Sequence, residues 1–100
     1  MITHVVMFKF KDKNREANMS EVKKALEQLP QKIDPLLSLE VGIDFDRSER
    51  AMDMVLISTF ADKNALKRYA THKEHLKVVE LIKAVTTGSK VVDFASTPTQ

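Results

Sequence analysis

The sequence predicts an α+β fold in the order strand, helix, strand, strand, helix, strand, closed into a four-stranded antiparallel sheet with both helices on one face. Three observations carry that expectation. Apolar residues alternate at period two in three separate runs, and they recur at three- and four-residue steps in the segments between. A short charged loop also joins the second run to the third, as a hairpin requires. At 100 residues the chain is expected to form a single domain, 1–100.

The first strand runs from Ile2 to Lys11, with Ile2, His4, Val6, Phe8 and Phe10 on one face. Val5 and Met7 make the start of its opposite face apolar as well. Asp12 to Met19 is polar and reads as a loop or a helix start. From Met19 the period changes, because Met19, Val22, Leu26, Leu29 and Ile33 form an amphipathic stripe. Pro30 ends the regular part of that helix, and Asp34-Pro35 turns the chain.

Leu37, Leu39, Val41, Ile43 and Phe45 alternate with polar or small residues, which predicts a second strand with one dry face. The charged loop Asp46 to Ala51 leads into a third strand, Met54 to Phe60, again apolar on both faces. Asp62 is placed to cap a short helix containing Ala65, Leu66 and Tyr69. Thr71 and Glu74 have capping-box spacing for a second helical piece that runs to about Val85. Gly88 is expected to close it, and Lys90 to Ala95 reads as the last strand. The tail from Ser96 to Gln100 is polar and expected to fray.

In this topology the first and third strands are central, and they are the two with apolar groups on both faces. The helices cover one side. Val5, Met7, Val55 and Ile57 are left on the other, where full burial of each is worth ~1.5–3 kcal/mol. A contiguous apolar sheet face on a lone protomer is unusual. The alternatives are a polar rim with the C-terminal tail folded over that face, or a two-fold homodimer packed sheet against sheet; the dimer is expected, since symmetric dimers are the commonest soluble assembly.

Composition excludes several classes. The chain has 43% hydrophobic and 30% charged residues and no cysteine, which removes disulfides, thiol nucleophiles and thiolate metal sites together. Its 16 basic and 14 acidic side chains are mixed along the chain. The densest basic stretch, Lys9 to Arg15, is interrupted by Asp12, so no nucleic-acid partner is expected. No apolar run approaches the ~20 residues of a membrane span, and no signal-peptide pattern precedes the first strand. A cytoplasmic protein without membrane association is expected.

Five segments carry a resemblance: His4 to Lys11, Leu39 to Gly42, Asp53 to Phe60, Tyr69 to His75, and Val91 to Phe94. In this order and spacing the chain resembles the stress-responsive A/B barrel domain (Dabb) family of the dimeric α+β barrel superfamily. The resemblance implies a ferredoxin-like βαββαβ half-barrel and a homodimer. One plant branch of that family looks like polyketide cyclases that close a ring by aldol condensation. There a Tyr and a His spaced like Tyr69 and His75 form an acid/base pair in a pocket between sheet and helices. His4 matches a histidine lining that pocket. The sequence departs from the pattern at Met54, where the branch has a further histidine, and at Lys73, where the family's usual His-Pro pair reads His72-Lys73.

Read from the residues alone, His4 lies among apolar neighbours on the helix-facing side of a central strand. It needs a hydrogen-bond partner there. Tyr69 and His75 flank the break between two helical pieces, and they form either a proton-transfer couple or a lock in which the tyrosine hydroxyl bonds to His75. His72 and His75 have i, i+3 spacing without a clear third ligand, so no metal is expected. Asp93 reads as structural, accepting backbone donors or pairing with a cation. The candidate ligand-binding residues are Val6, Phe8, Met54, Leu56 and His72, and no cofactor is expected.

Two functions follow. One is a homodimeric, stress-related binding or structural module whose small apolar pocket holds a hydrophobic ligand or nothing. The other is a cyclase-like enzyme in which His75 abstracts a proton, Tyr69 holds or protonates the enol oxygen, and His4 supports them. The wider superfamily adds a cofactor-free monooxygenase as a third.

Overall fold

A computed structural model describes residues 1–96. The expected tail beyond Ser96 lies outside the described residues. The elements are β1 (Ile2–Phe10), α1 (Arg15–Glu27), β2 (Ser38–Ile43), β3 (Met54–Phe60), α2 (Lys63–Ala70), α3 (Lys73–Val85) and β4 (Thr86–Ala95). The four strands lie in the order β2-β3-β1-β4, all neighbours antiparallel. This is the ferredoxin-like arrangement expected, with β1 and β3 in the centre. Among the described residues no helix is long and apolar enough to cross a membrane.

The helix-facing side of the sheet forms the core. Ile2, Phe8 and Phe10 of β1 and Met54, Leu56 and Phe60 of β3 are buried there against Met19, Val22 and Leu26 of α1. The stripe continues past Glu27 into a single 3₁₀ turn, Leu29–Gln31, with Pro30 near its start. Leu29 in that turn and Ile33 beyond it are fully buried, at 1% and 0% exposure. The helix itself starts four residues before the stripe. Asn14 takes a left-handed conformation (φ 57°), and its carbonyl accepts the Asn18 N–H at 2.9 Å. Asparagine tolerates that conformation better than most residues. The extra turn lies mostly on the solvent side, which is why apolar periodicity did not reveal it.

Three further expectations are corrected. The dry face of β2 is not dry: Val41 is buried, but Ile43 is 43% exposed. Leu37 and Phe45 lie outside the strand. An edge strand has cover only where a helix reaches it, and alternation specifies a face rather than its cover. Thr71 does not open α3. Its hydroxyl donates to the Lys67 carbonyl at the end of α2, and His72 is the N-cap of α3. Gly88 does not close a helix either. The chain passes from Val85 straight into β4, whose first residues pair with the end of β1 across an irregularity between Lys9 and Phe10.

The opposite face of the sheet carries Val5 and Met7 of β1, Val55 and Ile57 of β3, and Val92 and Phe94 of β4. The register sets Val5 beside both Ile57 and Val92. Met7 and Ile57 are each 37% exposed, and Val92 and Phe94 are more so. The patch is continuous across three strands.

One carboxylate ties the hairpin to β1. Asp53 is fully buried, and its Oδ2 accepts the Phe10 N–H at 2.7 Å while its own N–H donates to the Phe8 carbonyl. Oδ1 accepts from Arg47 Nη1 at 2.8 Å and Arg15 Nη1 at 3.4 Å, with Lys9 Nζ 3.6 Å away. Burial pushes the Asp53 pKa up, but the Phe10 N–H, the Arg47 guanidinium and the Lys9 charge outweigh it, so the group sits below its ordinary value.

Asp53→Asn keeps the shape and removes the charge. Urea unfolding should show a loss of about 1.5–3 kcal/mol at pH 7, the range for a hydrogen bond to a charged group. Because the folded pKa is depressed, the ionic contribution is complete above the ordinary value near 3.8 and vanishes as pH falls through the folded one. The gap between the two proteins should therefore close on acidification. A gap that stays constant down to pH 2 contradicts the assignment.

Candidate functional site

The break between α2 and α3 builds the centre of the site. His72 is extended (φ −66°, ψ 138°), and its Nδ1 accepts the Glu74 N–H at 3.0 Å. This starts α3 at Lys73 and places His75 in its first turn, beside the last carbonyls of α2. Such carbonyls have no partner within their own helix. That of Ala70 accepts from His75 Nδ1 at 2.9 Å. A carbonyl can only accept, so Nδ1 carries the proton and Nε2 keeps its lone pair.

Burial holds the His75 pKa below its ordinary 6.5. The Ala70 carbonyl opposes that shift, and the His4 and His72 charges add to it. His75 is therefore a neutral imidazole near pH 7 with Nε2 as its acceptor.

Tyr69 is 1% exposed and stands behind His75. The two rings meet at 4.3 Å between centroids with a 45° tilt, and Tyr69 packs in turn on Phe60 at 5.0 Å. Phe60 reaches His4 edge-on at 6.5 Å. An aromatic column thus links β1 to α3 through β3 and α2. The tyrosine hydroxyl finds no hydrogen-bond partner among the described residues. The expected bond from that hydroxyl to His75 is not formed, because the contact runs ring to ring. Burial pushes the Tyr69 pKa up to about 12, so the phenol stays protonated.

His4 lies directly opposite Asp93 in the β1–β4 register, and its Nδ1 bonds to Asp93 Oδ1. The carboxylate is the acceptor, so this ring too carries its proton on Nδ1 and turns Nε2 to other partners. Asp93 had been read as accepting backbone donors or pairing with a cation, and its partner is the strand histidine.

Both histidines line one cavity of about 420 Å³ between α3 and the sheet. Val6, Phe8 and Leu56 form its floor, Val78 and Ile82 its roof, and Lys83, Thr86 and Ser89 its far end. Of the residues expected to bind a ligand, Val6, Phe8 and Leu56 are therefore gathered with His4 and His75. Met54 is in the core, where it borders a separate hollow with Met7, Phe45 and Val55. His72 is engaged as a helix cap. Lys83 was not foreseen, although it falls eight residues after His75 on the same face of α3.

The stress responsive A/B barrel domain model matches residues 2–96. Among solved structures, a dimeric protein of unknown function with a ferredoxin-like fold from Bacteroides fragilis is 30% identical. It superposes with a TM-score of 0.85 over 93% of both chains. A dimeric ferredoxin-like protein of unknown function from Thermobifida fusca is 22% identical, with a TM-score of 0.85 over 95% of this chain and 90% of that one. A hydroxynitrile lyase from Passiflora edulis is 14% identical, with a TM-score of 0.85 over 99% of this chain and 95% of that one. The last two likenesses speak for the fold alone. A search of curated proteins gave no significant match. With nearly its whole described length matched, the chain belongs to the stress-responsive A/B barrel domain family.

Proposed function

We propose that the protein is a homodimer formed through the outer sheet face, and that its cavity takes a small hydrophobic carbonyl compound on which His75 moves a proton. The observation that carries the reading is the Ala70 carbonyl on His75 Nδ1, which commits a neutral imidazole in an apolar cavity to present Nε2 as a base. Nε2 takes a proton from the carbon beside a carbonyl. The electron pair moves onto the carbonyl oxygen as an enolate. His4, when protonated and balanced by Asp93, donates from Nε2 to that oxygen. In an aldol-type closure the enolate carbon attacks a second carbonyl of the same chain, the first carbonyl re-forms, and the new alkoxide takes back the proton held on His75 Nε2.

This mechanism differs from the Tyr69–His75 couple in its acid. A phenol without an acceptor and with a raised pKa is poorly placed to pass protons, whereas its ring braces His75. The homodimer is supported by the apolar patch across β1, β3 and β4 and by the dimeric relatives of known structure.

Three outcomes test the reading. On a panel of linear polyketide acids, His75→Ala should lower turnover by about 10²–10⁴-fold, the span of a lost general base. Tyr69→Phe should keep turnover within a few-fold and leave stability equal or higher, because a buried hydroxyl without a partner is removed. Equal rates for wild type and His75→Ala would sink the base assignment, and a Tyr69→Phe protein as slow as His75→Ala would restore the tyrosine as acid.

The sign of the pH effect follows from His75. Its folded pKa lies below the unfolded value near 6.5, so the unfolded chain takes up the proton first, and stability falls as pH drops below 6.5 toward the folded value. Histidine NMR titration should find His75 neutral at pH 7. A midpoint above 6.5 contradicts the environment described.

Ile57→Glu places a charge on a side chain already 37% exposed in the protomer. The protomer should tolerate it and the dimer should not. Sedimentation is expected to move from twice 11.4 kDa to 11.4 kDa. An unchanged mass would mean that copies do not meet through this face.

A further inference from the structure

The cavity has two chemically different ends. On α3, His75, Val78, Ile82 and Lys83 line it at positions i, i+3, i+7 and i+8, a single helical face. Eight residues at ~1.5 Å each put His75 and Lys83 about 12 Å apart along the helix. On β1 the cavity runs from His4 to Phe8, four residues at ~3.4 Å, or roughly 13 Å. The two rulers agree on its length. The register closes each end: Asp93 stands opposite His4, and Ser89 opposite Phe8. Histidines occupy one end and Lys83 with Ser89 the other, with Val6, Leu56 and Val78 between them.

Lys83 is the one charged side chain of α3 that lines the cavity. It is exposed, and among the described residues no carboxylate forms an ion pair with it. Nor is it needed as the counter-charge of the helix C-terminus, because Lys11 Nζ already donates to the Ala84 carbonyl there at 3.1 Å. Its neighbours Thr87, Gly88 and Ser89 are exposed, so this end opens to solvent.

We infer that the ligand of this cavity is an amphipathic anion: a carboxylate held by Lys83 at the mouth, with an apolar body of about eight to ten carbons running inward to the histidines. The inference rests on the cavity reading proposed above and adds its polarity and direction. A lysine ammonium at the rim contributes modestly to affinity and strongly to orientation, since a chain anchored at the mouth delivers its far end to His75. An uncharged compound of the same length would enter without a preferred sense.

The test uses octanoate and octan-1-ol as probes, titrated into the full-length protein and followed by the amide shifts of β1 and α3. Octanoate is expected to perturb both elements, with an affinity about three- to tenfold weaker in Lys83→Met and recovered in Lys83→Arg. Octan-1-ol should bind wild type and Lys83→Met alike. If octanoate binds Lys83→Met as well as it binds wild type, or prefers wild type no more than the alcohol does, the anionic polarity is wrong while the apolar cavity stands. If neither probe moves the β1 and α3 amides, the cavity is not a ligand site, and both readings fall.

Discussion

The structure depends on β1 being held from every direction. It is hydrogen-bonded to β3 on one side and β4 on the other, it faces the helices with Ile2, His4, Val6, Phe8 and Phe10, and it faces outward with Val5 and Met7. A central strand has little freedom to shift, because a slip of one residue would exchange its two faces. That fixity places His4 opposite Asp93 and Phe8 opposite Ser89, and so sets both ends of the cavity. The helices then need only the correct phase. The two-residue break at Thr71 and His72 supplies it, bringing His75 over the same strand.

Much of this was legible from periodicity. The ends of β3, the Asp62 cap and the end of α3 follow from patterns whose physical cause is local, and the structure has all of them, with the Asp62 carboxylate accepting the Ala65 N–H at 2.8 Å. What could not be read depends on tertiary cover. The first turn of α1 touches too little of the core to leave an apolar signature, and β2 has the right face without a helix to dry it. Thr71 and Glu74 have capping-box spacing, but the chain turns one residue later because His72 supplies the acceptor from its own ring. Asp53 was the most readable omission. A carboxylate between Met52 and Met54, at the entry of an apolar strand, must either be paired or be excluded from the core. The cations that pair with it come from three separate segments.

The candidate site divides in the same way. Residue types and spacing brought His4, Tyr69 and His75 into view, and the structure places them in one aromatic column. Sequence cannot say which atom of a ring faces which neighbour. Here that detail bears on the proposed chemistry: the Ala70 carbonyl fixes the His75 tautomer, Asp93 bonds to Nδ1 of His4, and the Tyr69 hydroxyl has no hydrogen-bond partner among the described residues. Two imidazoles with unequal surroundings, one against a carbonyl in an apolar wall and one against a carboxylate, are better suited to opposite proton-transfer roles than two alike would be.

The outer face and the cavity are linked through the strand they share. A domain of 100 residues has a modest core, and a cavity of about 420 Å³ between α3 and the sheet removes packing from it on the helix side. The loss falls on β1, since His4 and Val6 are only half-buried there. On the opposite face of the same strand, Val5 and Met7 belong to the patch proposed to meet a second copy. Burial on one side would then offset the packing missing on the other, and β1 keeps its pairing to both β3 and β4 from Ile2 to Phe8 along the cavity. In this account dimerisation does not supply a residue to the site. Contact through the outer face would instead let a small sheet keep a cavity that the protomer alone could hold only at the expense of its stability.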